Sequence, residues 1–488
     1  LINKFKNKIK TRFPNGGFAR NSIILITGSS VAQLITILAS PFLTRLYSPS
    51  DFGAYAIYTS ILAILGIVSC WRYDTSIVLP KDDEDASNLL GLSVVVCFLS
   101  TIFTLFFFLF FGKHISRLLG ISNFSNWLLL LPISVLSVGL FQIFNYWNIR
   151  QNKFKRLAKR EITQSVTIST SSIIFGGAFS LLGAGGLVLG NVLGQFVATA
   201  KLILETNKED GERIINLVNK SKMKEMLFRY KNFPLFSSWG ILLSTTSATL
   251  PSFLLGYFFT PAVLGYYTLG TRIISLPMRV IGGSISKVFF SRATEAKRSK
   301  NIEKITQEMF KHLISIGIVP ILLVSIIAPD FFAFVFGSEW RSAGVYVRWF
   351  SVWLFFVFVS TPLSNIYSVM EKQRKGLLVD IIMFVSRLAA LFVGGISGDE
   401  LLTIALFGIT GAVLWLANCF YMLHLAGVSI LTSLATLIKQ LLYSIPYSIP
   451  PILAILTGQK SITLIASALF SGVIFLVLHT SKLTGVRN

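Results

Sequence analysis

The chain predicts an all-α, polytopic membrane protein of fourteen transmembrane helices: two pseudo-symmetric six-helix bundles plus two extra C-terminal helices. Three observations predict it. Of 488 residues, 53% are hydrophobic and only 13% charged, about half the charge of a soluble domain. Mean hydropathy is +0.70 over the whole length. The charges that remain sit in short basic clusters between long apolar runs. This composition excludes a disordered chain and, with three Cys, a secreted disulfide scaffold. The net charge of +23 would suit nucleic acid only if the basic residues shared one solvated face. Their dispersal between apolar runs excludes that partner and is instead how membrane proteins fix orientation.

A window of roughly 19 residues places spans near 22–44, 53–79, 87–111, 126–148, 161–182 and 184–204. Six more follow near 235–259, 262–290, 306–328, 342–369, 376–396 and 400–424, and two near 436–457 and 461–480. The first apolar run, Ile23–Leu43, has spanning length, about 20 residues, and no small-residue cleavage site follows it. It reads as a first helix behind a basic cytoplasmic tail, 1–20. Gly183, Gly185 and Gly186 leave only a tight turn between spans five and six.

With the N-terminus inside, cytoplasmic loops collect 32 Lys and Arg and the opposite side 5. That asymmetry puts both termini in the cytoplasm. The domains expected are the tail 1–20, an N-terminal bundle 21–204, a charged cytoplasmic linker 205–234, a C-terminal bundle 235–424 and extra helices 425–488. External loops are short, about a dozen residues at most, so neither side carries a catalytic domain.

Ser48-Pro-Ser-Asp-Phe-Gly-Ala-Tyr55 recurs as Thr260-Pro-Ala-Val-Leu-Gly-Tyr-Tyr267. Ser or Thr caps a helix and Pro occupies its first turn. Two unrelated external hairpins could converge on such a turn. The midpoint linker between the copies favours a repeat, with the halves parallel about an axis along the membrane normal.

Enzyme signatures are missing. The four His stand singly, there is no P-loop, and no His/Cys/Asp cluster has metal-ligand spacing, so no metal, cofactor or enzymatic activity is expected. Cys70, Cys97 and Cys419 lie in apolar runs as core or lipid-facing residues. The acidic run Lys81–Asp85 reads as a solvated turn.

Charges inside spans carry more information, because each costs about 2.5–3.5 kcal/mol or more at mid-membrane unless it faces protein or water. On span eight Arg272 and Arg279 share a face and Lys287 lies beside it, by turns of about −20° and about +80°. A lining role for the two arginines competes with inter-helix pairing. Lys287 and Asp380 are near enough to the cytoplasmic boundary to snorkel, and Arg348 to the outer one. Asp380 and Arg387 share a face of span eleven. Arg72 and Asp74, two apart on span two, point to different faces of a helix; Arg72 either lines a lumen or is restrained by Asp74 or Asp380. A lumen richer in Arg than in carboxylate favours an anion, and the planar guanidinium suits a diphosphate.

The run Pro41-x-x-x-Arg45-Leu-Tyr-Ser-Pro-Ser-Asp-Phe-Gly-x-Tyr55, the run Trp71-Arg-Tyr-Asp-Thr-Ser-Ile-Val-Leu-Pro80 with Asp82–Ala86 behind it, and Thr260–Tyr267 with the basic end of span eight carry a resemblance. The chain resembles Wzx-type O-antigen and exopolysaccharide repeat-unit flippases, in the polysaccharide-transporter branch of the multidrug/oligosaccharidyl-lipid/polysaccharide exporter superfamily. The resemblance implies a cationic central cavity between two six-helix bundles that opens alternately inward and outward. It implies an undecaprenyl-diphosphate-linked oligosaccharide (O-antigen, capsule or exopolysaccharide) moved across the bacterial inner membrane to its periplasmic leaflet. The basic cavity residues of the family match Arg72, Arg272 and Arg279, and Asp74, Lys287, Asp380 and Arg387 become cavity or gating candidates. The bilayer, a polysaccharide polymerase and a chain-length regulator are the partners it suggests.

Alternatives are an ion-coupled drug/cation antiporter of the same superfamily, or a flippase for a peptidoglycan or teichoic-acid precursor. The antiporter is disfavoured because spans one and seven hold no Asp or Glu. A membrane glycosyltransferase or polymerase is disfavoured by the short external loops.

Overall fold

A computed structural model describes residues 18–459 and 461–484. Among them every regular element is helical and no strand occurs. Eleven of these helices are long and apolar enough to cross a membrane, which makes this a multi-pass membrane protein. Three further helices, of 25, 38 and 27 residues, stand where spans five, eight and thirteen are expected. The chain divides into two compact units, Leu1–Tyr257 and Phe258–Asn488.

In the first unit α1 (Phe18–Leu46) packs along α6 (Phe154–Ala178), and α6 along α7 (Ala184–Leu217). The others are α2 (Pro49–Val68), the four-residue α3 (Tyr73–Ser76), α4 (Asp83–Leu118), α5 (Leu131–Arg150), α8 (Lys220–Arg229) and α9 (Ser238–Phe258). The turn expected between spans five and six is present. Gly183 makes it with φ +48, and an added Cβ there would meet Asp51 Oδ1 at 2.9 Å.

Both copies of the repeated turn start helices, but with different chemistry. Ser48 accepts from the Asp51 amide at 3.2 Å while Asp51 accepts from the Ser48 amide at 2.9 Å, a reciprocal capping box with Pro49 in the first turn. In the second copy Thr260 is likewise extended before Pro261, but Val263 stands where Asp51 does and has no carboxylate to return the bond.

Two expectations need redrawing. Span two is not one helix: α2 stops at Val68 and α3 begins at Tyr73. The stretch 205–234, expected as a charged linker, is largely helical, because α7 runs on to Leu217 and α8 follows. It is helical because it is docked. Met226 is 0% exposed in an apolar cluster with Leu89, Tyr73, Trp147 and Ile214. Asn88 clamps the α7–α8 junction, donating to the Leu217 carbonyl at 2.9 Å and accepting from the Asn219 amide at 2.7 Å. The break between units accordingly falls at Tyr257–Phe258, and α9 (span seven) belongs with the first unit.

The second unit contains α10 (Pro261–Arg298), α11 (Ile302–Phe336), α12 (Arg341–Leu363), α13 (Asn365–Val369), α14 (Gln373–Ser397), α15 (Glu400–Leu425), α16 (Ile430–Leu456) and α17 (Ser461–Thr484). Helix α12 is its axis, packed on α10, α11 and α15. At Gly344 an added Cβ would strike the Ala328 carbonyl, so only glycine permits α12 this close to α11. The last two helices pack on each other and on α11, which makes them part of this unit.

Candidate functional site

The break in span two creates the first group of candidate residues. Trp71 and Arg72 have φ of +47 and +65, and a left-handed conformation costs an L-residue about 1–2 kcal/mol. The turn is held by the Trp71 amide donating to the Val68 carbonyl at 3.3 Å, the Tyr73 amide to the Cys70 carbonyl at 3.0 Å, and the Thr75 hydroxyl to the Arg72 carbonyl at 2.8 Å. The Tyr73 hydroxyl donates to the Leu227 carbonyl of α8 at 3.2 Å. Because Arg72 is not helical, the helical-wheel separation of Arg72 from Asp74 does not hold. Asp74 is 1% exposed, and neither of its carboxylate oxygens has a side-chain partner; it feels Arg72 through space. Arg72 is half-buried and its Nε has no hydrogen-bond partner.

A second group lies in the other unit. Arg387 of α14 places its guanidinium carbon 5.4 Å from the Trp353 ring centroid of α12, and it interacts through space with Tyr267 of α10 and with Asp380. A cation over an aromatic face is stabilised without surrendering its charge. Arg387 is half-buried and Asp380 exposed, and the two form no close ion pair. Arg272 is half-buried on α10. The side chains of Arg279 and Lys287 lie outside the described residues. The candidates therefore fall into two sets, Arg72 and Asp74 in the first unit, Arg272, Asp380 and Arg387 in the second.

Several residues escaped the sequence reading. The acidic run at 81–85 is exposed at Lys81, Asp82 and Glu84 but half-buried at Asp83 and Asp85. Asp83 pairs with Arg150 at 2.9 Å and with Arg213, while Asp85 pairs with Arg229 at 3.0 Å and with Lys222 at 3.6 Å. Glu209 pairs with Lys153 at 2.8 Å and with Arg156, and Trp147 donates to Asp210 at 3.1 Å. Together these bonds clasp the ends of α4, α5, α6, α7 and α8. The signal was present as matched runs of opposite charge, but a one-dimensional reading cannot say which runs meet. Carboxylates Glu84 and Asp85 raise the Lys222 ammonium above the usual lysine value, and the hydrogen bond from Lys297 lowers Glu371 below the usual carboxylate value.

Arg348 makes a different kind of contact. Its Nε donates to the Ser325 carbonyl at 3.3 Å and its Nη2 to the Ile326 carbonyl at 3.1 Å. Pro329 has no amide hydrogen for the Ser325 carbonyl one turn earlier, and Arg348 supplies the missing donor across helices. Inside the first unit Arg160 is 6% exposed, lies 3.4 Å from the Phe141 ring centroid, and donates to Gln164 at 2.5 Å. Its neighbour Glu161 accepts from Ser29 of α1. A carboxylate therefore does reach span one, contributed by span five, which weakens the sequence argument against a cation exchanger. Cys70, Cys97 and Cys419 are buried free thiols. Among the described residues no group of three His, Cys, Asp or Glu could hold a metal ion.

The sequence profile of a family described as polysaccharide biosynthesis protein matches residues 42–344. No curated protein matches the chain. The fold is similar to that of the lipid II flippase MurJ in an inward closed conformation, with a TM-score of 0.70, 12% identity, and coverage of 95% of this chain and 100% of that one. It is similar to an inward-facing multidrug resistance MATE transporter of the MOP superfamily, with a TM-score of 0.59, 16% identity, and coverage of 81% and 96%. A variant of the Vibrio cholerae MATE transporter VcmN matches with a TM-score of 0.52, 17% identity, and coverage of 82% and 94%.

Proposed function

Because the chain belongs to the polysaccharide biosynthesis protein family, we propose that it is a flippase for undecaprenyl-diphosphate-linked oligosaccharide repeat units of O-antigen, capsule or exopolysaccharide. It carries them by alternating access from the cytoplasmic to the periplasmic leaflet of a bacterial inner membrane, with both of its termini cytoplasmic, and hands them to a polymerase and a chain-length regulator. The fold supports this through its likeness to a lipid II flippase, whose cargo is also lipid-linked.

One observation carries the reading: Arg72 is a half-buried guanidinium at a helix break, its buried Nε has no hydrogen-bond partner, and neither carboxylate oxygen of nearby Asp74 has one either. A partly desolvated guanidinium binds diphosphate strongly through the nitrogens left accessible, since charge-assisted and forked bonds are the strong ones. Arg272 and Arg279 are the second unit's own candidate guanidinium groups for an anion, and Arg387 lies over the Trp353 ring. During transport Arg72 holds the diphosphate while the glycan crosses a hydrated path and the polyprenyl tail stays in lipid.

The test uses proteoliposomes loaded with fluorescent undecaprenyl-diphosphate oligosaccharide, whose exposure to a membrane-impermeant quencher reports leaflet exchange. Wild type accelerates exchange, and Arg72→Ala or Arg279→Ala lowers the rate by about ten- to a hundredfold at equal incorporation, the scale of a lost hydrogen bond to a charged group. Rates equal to those of empty liposomes, with and without an ion gradient, would reject the reading. The Glu161–Ser29 contact favours a second reading, a cation-coupled antiporter. That reading predicts cation-driven drug efflux lost in Glu161→Gln, with no exchange of the glycolipid.

A further inference from the structure

From Ser69 to Ile77 the chain is buried at Ser69, Cys70, Tyr73, Asp74, Ser76 and Ile77, yet within this stretch the large indole of Trp71 is 38% exposed. Trp71 is turned outward by its backbone, since it and Arg72 are consecutive residues at positive φ. Among the described residues the other non-glycine ones at positive φ are single, Asn152, Lys300 and Glu371, each just past the end of a helix, where a left-handed residue is ordinary. Here two bulky residues in succession take it, between the end of α2 at Val68 and the start of α3 at Tyr73. Strain of this kind persists only where the surroundings over-determine it, and it collects at ligand contacts. Here the surroundings are the bonds from Trp71 to Val68, from Tyr73 to Cys70 and from Tyr73 to Leu227. They hold the part-exposed indole of Trp71 next in sequence to Arg72, a half-buried guanidinium whose Nε is buried without a hydrogen-bond partner.

We propose that Trp71 stacks on the sugar ring next to the diphosphate that Arg72 holds, so that this turn reads the sugar–diphosphate junction of the carried lipid. The inference rests on the proposed function and deepens it by assigning a sugar contact. An aromatic face offers apolar C–H contact to a pyranose, and an adjacent guanidinium offers paired donors to phosphate. Spacing of one residue matches one sugar joined to one diphosphate. The stack favours lipids that bear a sugar over bare undecaprenyl diphosphate, which a flippase gains nothing by returning outward.

The experiment measures equilibrium binding to the purified full-length protein of three fluorescent probes: undecaprenyl diphosphate, the same lipid with one hexose, and the same lipid with a trisaccharide. Trp71→Ala is expected to weaken the two sugar-bearing probes by about three- to tenfold and to leave the bare diphosphate unchanged. Trp71→Phe retains most of the preference. Trp71→Gly, which relaxes the backbone, loses the preference as Ala does while melting no lower than wild type. Arg72→Ala weakens all three probes. If Arg72→Ala has no effect while Trp71→Ala discriminates, the role of Arg72 fails and the sugar contact stands. Equal effects of Trp71→Ala on all three probes, no effect on any, or full preference retained by Trp71→Gly would each overturn the proposal, the second leaving Trp71 as an interfacial anchor only.

Discussion

The two units are built of the same kind of helices and held together by different chemistry. The first is clasped at one end by carboxylates and guanidinium groups: Asp83 with Arg150 and Arg213, Asp85 with Arg229 and Lys222, Glu209 with Lys153 and Arg156. The second is held by aromatic interdigitation around α12, where Trp353 meets Phe407 edge-on at 4.9 Å and Tyr267 meets Phe350 at 5.9 Å and Phe407 at 6.1 Å. Its described ion pairs, Lys297–Glu371 and Arg341–Asp330, sit near helix ends. In a bilayer apolar burial does little to join helices, because lipid tails are as apolar as leucine. Close packing and polar contacts remain, and each unit leans on one of them.

The largest expected effect is in the second unit. Trp353→Ala removes a 9% exposed indole packed on Phe407 and supporting Arg387. It should destabilise that unit by about 3 kcal/mol, the low end of the range for a buried aromatic because lipid offers no water to escape. Thermal melting of the protein in detergent should fall equally at low and at high salt. A salt-dependent loss would mean that the second unit is held electrostatically after all.

A smaller loss is expected from Asp83→Asn, about 2 kcal/mol, since Arg150 is left with a side chain 12% exposed and no carboxylate. Backbone carbonyls of Pro80 and Lys81 still accept from Arg150, which keeps the cost below that of a fully buried pair. Raising the salt concentration should lower wild-type melting and shrink the difference between wild type and Asp83→Asn. If salt leaves both unchanged, the clasp does not stabilise the first unit.

The smallest effect is expected from pH acting on exposed pairs. Glu371 is held below the usual carboxylate value by its hydrogen bond from Lys297. Its contribution is therefore present above the ordinary glutamate pKa and is lost as pH falls through the lowered value. Lys222, raised by Glu84 and Asp85, acts in the opposite sense: its contribution is present below the ordinary lysine pKa and lost as pH rises through the raised value. Glu371→Gln should flatten the acid limb of the melting profile slightly and leave the neutral region alone. A large change at neutral pH would show that this exposed pair matters more than surface pairs do.

How much of this was legible in the sequence depends on whether the cause is local. The spans, the turn at Gly183 and the two repeated helix starts at Pro49 and Pro261 follow from hydropathy, glycine and capping residues close together in the chain. The break at Trp71–Arg72 was not legible, because no Pro or Gly stands between Ser69 and Tyr73 and a group that anchors the turn, the Leu227 carbonyl of α8, is far away in sequence. For the same reason Asp74 could not be placed: its relation to Arg72 depends on a backbone turn that helical periodicity does not contain. Arg348 and Pro329 lie on different helices, and only their juxtaposition shows that one repairs the hydrogen bonding of the other.

By itself the sequence determined that the chain is a helical membrane protein, roughly where its helices begin and end, and that its intramembrane charges are mostly arginine. These are properties of composition and of short windows, where bilayer thickness and backbone hydrogen bonding leave little choice. Only the tertiary structure decided that the acidic run 81–85 is the hub of a clasp, that 205–234 is docked helix, and that Trp71 stands out from a buried turn. Each of these depends on groups far apart in sequence meeting in space, and the energy that holds them there belongs to the contact rather than to either residue.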